Sequence, residues 1–146
     1  MKIAIGCDHG GYSLKQEILR YLEQKNIAYT DCGCDSEASV DYPIYAKAVT
    51  DLIQNGECER GILVCGTGIG MSIAANKRKG IRAAVCHDTF SARMTRMHND
   101  TNVLCLGGRV VGSGLALDIV ELFLQTEFLG DRHARRVQMI SDLENN

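Results

Sequence analysis

The sequence predicts a doubly wound α/β domain with a five-stranded parallel sheet covered by helices on both faces. Short apolar runs alternate five times with longer amphipathic segments along the 146 residues. The short runs are apolar throughout, which is typical of parallel strands buried on both faces. With one proline and no stretch rich in serine and glycine, residues 1–146 are expected to form a single domain without a linker.

Hydrophobic spacing predicts the elements of the first half in turn. The first strand is the run 2–7 (KIAIGC), and leucine and isoleucine recur at helical spacing in the segment 12–25 that follows it. A second strand is expected at 27–32 (IAYTDC). The next helix, at 43–56, has a proline in its first turn and a glycine at its end, the usual distribution of these two residues.

The second half continues the same alternation. The remaining strands are expected at the apolar runs 61–65 (GILVC), 81–86 (IRAAVC) and 101–106 (TNVLCL), and the remaining helices at 69–77, 88–98, 113–127 and about 131–144. In the helix at 88–98, the core-facing stripe is expected to be Phe90, Met94 and Met97. In the last helix, Val137, Ile140 and Leu143 can pack on one face.

Composition argues against several classes of protein. With 16 basic and 18 acidic residues the net charge is -2, so no nucleic acid and no anionic membrane is expected as a partner. No run reaches the ~18 apolar residues of a membrane span. The start, MKIAIGCDHGG, lacks the long apolar region of a secretory signal, so a cytoplasmic location is expected.

The seven cysteines do not form a disulfide framework. Cys7, Cys65, Cys86 and Cys105 each fall at or near the end of an apolar run, where small buried hydrophobic side chains are expected. The C-x-C spacing at 32–34 is too tight for a usual zinc pair, and no second pair follows at zinc-ligand spacing. No metal is therefore expected.

Polar and reactive side chains follow the predicted strands. They are Asp8 and His9 after the first strand, Cys65 after the third, His87 after the fourth and Arg109 after the fifth. In doubly wound sheets, ligands bind at this carboxyl edge, near the point where strand order reverses. We expect His98, which closes a helix, to lie at or close to the same rim as His9 and His87, although scattered surface histidines are the alternative.

A glycine loop follows the third strand in the segment CGTGIGMS, with Gly66, Gly68 and Gly70. Its spacing fits neither the dinucleotide-binding fingerprint nor the P-loop. The strand, glycine turn and helix in succession nevertheless favour anion binding, because backbone N–H groups are free at a helix start and glycine lets a ligand approach. The alternative is a tight turn without a ligand.

Two reactive side chains are placed near helix ends. Cys65 precedes a helix N-terminus, which stabilises a thiolate that can act as nucleophile or general base; the alternative is an inert buried cysteine. His98 closes a helix whose C-terminus favours imidazolium, as a proton donor requires, or it is merely a cap.

The last helix begins with four basic or titratable residues: Arg132, His133, Arg135 and Arg136. Cations at a helix N-terminus oppose the helix dipole. Arg132 and Arg136 are spaced i, i+4 on one face, which predicts either a bound phosphate or a solvated basic patch.

The segments GCDHGGYSLK, VDYPIYA, CGTGIGMSIAANK, GIRAAVC, RMHNDTNVLCLGGRVVG and RHARRV together resemble the type B ribose-5-phosphate isomerase family, which includes galactose-6-phosphate isomerase subunits. The resemblance covers nearly the whole chain. It implies a Rossmann-like three-layer αβα sandwich with an extra C-terminal helix, no cofactor or metal, and a homodimer or tetramer with its active site between two subunits.

The resemblance also implies roles for individual residues. Cys65 is the base that moves a proton between C1 and C2 of the open-chain sugar, and His98 assists ring opening with Asp8 nearby. The backbone of the loop Gly66, Thr67, Gly68, Ile69 and Gly70 holds the enediolate oxygens. The residues His9, Asn99 and Arg109 contact the substrate, and Arg132 and Arg136 hold its phosphate.

The function implied is interconversion of D-ribose 5-phosphate and D-ribulose 5-phosphate through a cis-enediolate, a reaction of the pentose phosphate pathway. One alternative is an isomerase of a hexose phosphate, either allose 6-phosphate or galactose 6-phosphate. Two others are a non-catalytic sugar-phosphate-binding module and an enzyme with Cys65 as a covalent nucleophile.

Overall fold

Five strands form one parallel sheet in the order β2-β1-β3-β5-β4 in the computed structural model, which describes all 146 residues. The strands are β1 (Lys2–Cys7), β2 (Ala28–Asp31), β3 (Arg60–Cys65), β4 (Ala83–Val85) and β5 (Val103–Gly107). The helices are α1 (Tyr12–Gln24), α2 (Tyr42–Gln54), α3 (Ile69–Ala75), α4 (Thr89–Asn99), α5 (Ser113–Gln125) and α6 (Asp131–Leu143). The predicted fold class and every predicted element are confirmed, and β4 begins two residues later than expected.

Helices cover both faces of the sheet. Ile3, Ile5 and their neighbours on one face pack against α1, α4 and α5. Ala4, which points to the other face, belongs to a second cluster with residues of α2 and α3. Successive strand residues point to opposite faces, so a strand that is buried on both faces must be apolar at every position.

The order of the strands reverses between β1 and β3: from β1 the chain continues to β2 on one side, and from β3 it continues to β4 and β5 on the other. These two strands are hydrogen-bonded neighbours, yet α1 after β1 covers one face and α3 after β3 covers the other. This is the topological switch point, where the connections diverge and leave a crevice beyond the carboxyl ends of the strands. Asp8 and Cys65 lie at the two sides of that crevice.

Two of the expected helix faces are wrong. Helix α4 buries Ala92, Thr95 and Arg96 in place of the predicted stripe, and Phe90 is 67% exposed. The helix packs mainly against α5, and Ala92 and Thr95 are the small side chains on its buried face. The guanidinium of Arg96 reaches the carbonyl oxygen of Thr101 at the end of the helix.

Of the three apolar residues expected to pack α6, only Val137 is half-buried. Ile140 is 44% exposed and Leu143 is 68% exposed, whereas the one buried residue of this helix is His133. Helix α6 follows the complete sheet and crosses its amino end, where only the end of α4 is available for packing. The predicted apolar face therefore faces solvent in a single copy of the chain.

A buried ion pair joins α1 to the end of β2. Lys15 is 1% exposed, and its Nζ donates to both carboxylate oxygens of Asp31, at 2.7 and 2.9 Å, and to the carbonyl oxygen of Cys34 at 2.9 Å. All three ammonium protons are satisfied, as burial of a lysine requires. None of the six helices has the length and apolar composition of a membrane crossing.

Candidate active site

The carboxylate of Asp8 is fixed at the end of β1. Its backbone N–H donates to the carbonyl oxygen of Val64 in β3 at 3.1 Å. Its Oδ1 accepts the backbone N–H groups of Gly10 and Gly11, at 2.9 and 3.2 Å. The residue is buried, and these two donors set the orientation of its carboxylate beside the crevice.

Cys65 is the last residue of β3, and its sulfur lies inside the turn that follows. The side chain is 5% exposed, and Sγ accepts the backbone N–H of Gly68 at 3.1 Å. An N–H donor interacts more strongly with a thiolate than with a thiol. Gly68 has φ +77°, and an added Cβ would lie 2.9 Å from the carbonyl carbon of Leu106, so only glycine fits this turn.

The glycine loop, residues 66–70, carries backbone donors that the chain itself does not use. The N–H groups of Gly66, Thr67 and Gly70 donate to no acceptor within the chain. That of Ile69 reaches only the Thr67 hydroxyl, at 3.3 Å. A loop of adjacent unpartnered N–H groups beside a buried thiol can bind an oxyanion.

Arg109 and His9 border the same crevice. Arg109 donates its backbone N–H to the Gly66 carbonyl at 3.0 Å, and its guanidinium lies over Gly66, with Nη1 3.2 Å from the position of an added Cβ. Nδ1 of His9 accepts the backbone N–H of Val40 at 3.2 Å, which leaves the proton of a neutral ring on Nε2. Both side chains can therefore present donors to a bound oxygen.

Tyr42 is a candidate site residue that sequence reasoning did not single out. Its ring lies against Gly70, where an added Cβ would approach Cζ of the tyrosine to 2.7 Å. Tyr42 is the first residue of α2, far from the loop in sequence. The segment VDYPIYA contributed to the family resemblance, but only packing of α2 against α3 brings the ring to the loop.

His87 follows β4 and has a structural partner. Its Nε2 accepts the backbone N–H of Gly107 at 3.1 Å, across the ends of β4 and β5. His87 and His9 therefore lie at the carboxyl end of the sheet, as expected. We define the carboxyl-end group as Asp8, His9, Cys65, the glycine loop and Arg109.

The remaining predicted site residues lie at the opposite end of the sheet. Helix α4 begins after β4 and runs back, so His98 and Asn99 stand just before β5 begins. In the same turn, the Asn102 carbonyl accepts the N–H of Gly61, at the start of β3. The five residues of β5 span about 16 Å. Within one chain, His98 lies at the amino end of the sheet and His9 at its carboxyl end. The prediction that they share one rim is therefore wrong.

Arg132 and Arg136 are at the same end as His98. The imidazole rings of His98 and His133 stack with centroids 4.3 Å apart and planes 10° from parallel. The N–H of Leu129 also donates to the Met97 carbonyl at 3.2 Å, which fixes the start of α6 beside the end of α4. Both arginines are exposed and form no ion pair within the chain. We define the amino-end group as His98, Asn99, Arg132 and Arg136.

Neither of the two main cavities includes Cys65. The larger, of about 700 Å³, is at the amino end and is bordered by Asn99, Arg82 and Leu143, among others. A smaller one, of about 290 Å³, is lined by Leu129, Asp131, Arg132 and His133. No three histidine, cysteine, aspartate or glutamate side chains converge as metal ligands would.

Known proteins resemble this chain over nearly its whole length. Residues 3–140 match the family described as ribose/galactose isomerase. Ribose-5-phosphate isomerase B of Escherichia coli is 50% identical over 143 residues, which cover 98% of this chain and 96% of that protein. Structures with closely similar folds include the ribose-5-phosphate isomerases B of Clostridium thermocellum (TM-score 0.98, 54% identity, 99% of this chain and 98% of that chain) and Thermotoga maritima (TM-score 0.95, 51% identity, 97% of each). The chain therefore belongs to the ribose/galactose isomerase family.

Proposed function

We propose that this protein interconverts ribose 5-phosphate and ribulose 5-phosphate, in a site that two copies of the chain complete together. The names of its relatives support the substrate. The observation that carries the chemistry is the buried Cys65 sulfur, which receives one N–H of the glycine loop while neighbouring N–H groups of that loop are unpartnered. A base and an oxyanion site are thus adjacent.

Cys65 is the base of the proposed reaction. Its thiolate removes the proton from C2 of the open-chain aldose, and the electron pair moves into the C1–C2 bond as the aldehyde oxygen becomes negative. The hydroxyl proton on O2 moves to O1, the oxygen on C2 becomes the carbonyl of the ketose, and the Cys65 thiol returns its proton to C1. One positioned group serves both steps, because the proton moves between adjacent carbons on one face of a cis-enediolate.

The glycine loop stabilises the enediolate. Negative charge develops on oxygen only during the reaction, so fixed N–H donors at Gly66, Thr67 and Gly70 act mainly on the transition state. Removal of one such donor typically costs about 3 kcal/mol in the barrier. Arg109, which lies over Gly66, adds a positive charge beside the same loop.

The amino-end group supplies ring opening and phosphate binding, from a second copy. His98 donates a proton to the ring oxygen, with Asp8 of the other copy nearby, and Arg132 and Arg136 bind the phosphate. One chain cannot bring both groups to one sugar, because they are at opposite ends of the sheet. Exposed apolar side chains beside the glycine loop favour contact with another copy: Tyr42, Ile44, Ile69, Ile73 and Val110.

The experiment that tests the function is an isomerisation assay on ribose 5-phosphate, allose 6-phosphate and galactose 6-phosphate, with solvent deuterium exchange followed by NMR. We expect turnover of ribose 5-phosphate and deuterium at the exchanging carbon. Cys65→Ala should reduce both by at least about 1000-fold and leave sugar-phosphate binding largely intact. Ser72→Ala, on the same short helix, is the matched control and should retain activity.

Three outcomes would contradict the proposal. Stabilisation by ribose 5-phosphate without any exchange would indicate a binding module. Near-normal turnover by Cys65→Ala would exclude this cysteine as the base. A substrate-dependent mass increase on Cys65 that persists through denaturation would indicate a covalent nucleophile instead of a proton carrier.

A further inference from the structure

The one buried residue of α6 is a histidine that lies on a proposed acid. His133 is 8% exposed, and every other residue of this 13-residue helix is more exposed. Its ring is stacked on that of His98, 4.3 Å between centroids and 10° from parallel. Val137 and Ile140 lie on the same face of α6, at i+4 and i+7, but Val137 is only half-buried and Ile140 is 44% exposed, so His133 makes the most deeply buried contact of this face.

The two stacked rings are at helix ends of opposite polarity. His98 is the second-to-last residue of α4, where the helix dipole favours a positive charge. His133 is the third residue of α6, where the dipole disfavours one. The dipole of α6 therefore opposes a positive charge on His133, whereas the dipole of α4 does not oppose one on its stacked neighbour.

The charges around the stack act in the same direction. Burial, followed by His98 from α4 and by Arg132 and Arg136 from its own helix, lowers the pKa of His133, against a smaller opposite effect of Asp131. The one other carboxylate near the end of α4, that of Asp100, is engaged by Arg82 and Arg96. Positive charges on both rings would repel each other strongly at this separation.

We propose that His133 is a positioning residue for His98: its neutral ring holds the His98 ring in one orientation and leaves His98 as the member of the pair that carries the proton for ring opening. This inference rests on the proposed function. It assigns no contact with the sugar to His133. The proton passes from His98 to the ring oxygen as the C1–O4 bond breaks, and the hydroxyl on C1 releases its proton to solvent as the aldehyde forms. His98 then takes a proton from solvent, so no other reactant is needed.

Ribulose 5-phosphate distinguishes this role from a general structural one. Its C5 oxygen carries the phosphate, so the ketose cannot close to a furanose and reaches the enediolate without ring opening. We expect His133→Ala to lower kcat for cyclic ribose 5-phosphate by about tenfold or more with little change in KM. Exchange of the C1 proton of ribulose 5-phosphate should stay within about twofold of wild type.

Two further variants separate stacking from charge. His133→Phe keeps a neutral ring on His98 and should restore most of the kcat lost in His133→Ala. His133→Lys puts a permanent cation beside His98 and should both lower kcat and shift the acidic limb of the kcat–pH profile. Gln138→Ala, exposed on the same helix, is the control and should match wild type. Far-ultraviolet circular dichroism establishes that each variant is folded.

Failure of the inference and failure of the proposed function give different results. If the wild-type protein does not isomerise ribose 5-phosphate, the function fails, whatever His133 does. If wild type is active and His133→Ala has an unchanged kcat for ribose 5-phosphate, the inference is overturned. It is also overturned if ribulose 5-phosphate exchange falls as much as ribose 5-phosphate turnover, or if His133→Phe is no better than His133→Ala.

Discussion

Two thiols at equivalent positions, each at the carboxyl end of a strand, are in different surroundings. The sulfur of Cys65 receives the backbone N–H of Gly68 at 3.1 Å. Cys86, just after β4, is 2% exposed, and burial together with the charge of Asp88 raises the pKa of this thiol to about 11. Strand position alone therefore does not determine the surroundings of a thiol; the turn that follows Cys65 supplies the N–H donor.

The raised pKa of Cys86 predicts a loss of stability in alkali. The unfolded chain releases this proton near the ordinary thiol pKa of 9.0, whereas the folded chain keeps it to about 11. Stability is thus fully present below pH 9 and falls as pH rises toward 11, by about 2–3 kcal/mol for this thiol. Urea unfolding between pH 8 and 11, in the presence of a reducing agent, measures the change.

The control for this prediction is Cys86→Ala. The variant has no thiol to ionise, so its free energy of unfolding should fall less steeply with pH, whatever packing it loses at neutral pH. Cys7 and Cys32, with pKa values raised to about 12 and about 11, contribute equally to both proteins. Identical slopes for wild type and Cys86→Ala would show that this thiol ionises as easily in the folded state as in the unfolded state.

At the scale of an element, α1 and β2 are joined by a charge pair inside the protein. Lys15 is 1% exposed, whereas the side chain of Asp31 is 32% exposed. The two partners therefore differ in what their removal leaves behind. A buried ammonium without a carboxylate has no access to water, while an exposed carboxylate without its ammonium can be hydrated.

We predict that Asp31→Ala destabilises the protein more than Lys15→Met does. Asp31→Ala leaves the buried Lys15 ammonium without a counter-charge and should lower the free energy of unfolding by about 3–5 kcal/mol. Lys15→Met fills the same space with an apolar chain, and the freed Asp31 faces water, so the loss should be smaller. Chemical denaturation of both single variants and of the double variant measures this. A larger loss for Lys15→Met than for Asp31→Ala would contradict the assigned burial.

Periodicity predicted the elements well, and tertiary packing explains where it failed. The strands are apolar throughout because both their faces are covered, and this property is visible in the sequence. The buried face of α4 was predicted wrongly, because Phe90 extends into solvent while Ala92 and Thr95 are buried in a helix that packs mainly against α5. The Lys15 pair was missed since a buried lysine in an amphipathic helix looks like any surface lysine.

At the scale of the whole molecule, the candidate site is divided. Residues that follow β1, β3 and β5 were correctly assigned to the carboxyl end of the sheet, because strand ends are readable from the sequence. The position of His98 was predicted wrongly. Helix α4 starts at the carboxyl end of the sheet and runs back to its amino end, so the last residues of the helix lie far from the carboxyl-end group. Family resemblance pointed to an intersubunit site, and the separation of the two groups in one chain gives a geometric reason for it.

An intersubunit site predicts that two inactive variants restore activity when mixed. Cys65→Ala disables the carboxyl-end group and His98→Asn the amino-end group, so each homodimer should turn over ribose 5-phosphate poorly. In a mixed dimer, one site combines the altered carboxyl-end group of one copy with the altered amino-end group of the other. The second site combines the two unaltered groups. Random pairing after joint refolding should therefore leave about a quarter of all sites intact. Cys65→Ala mixed with Cys65→Ser is the control and should stay inactive. Recovery in the first mixture alone supports a site built from two copies, whereas no recovery, with mixed dimers demonstrated by native mass spectrometry, would place both groups' function within one chain.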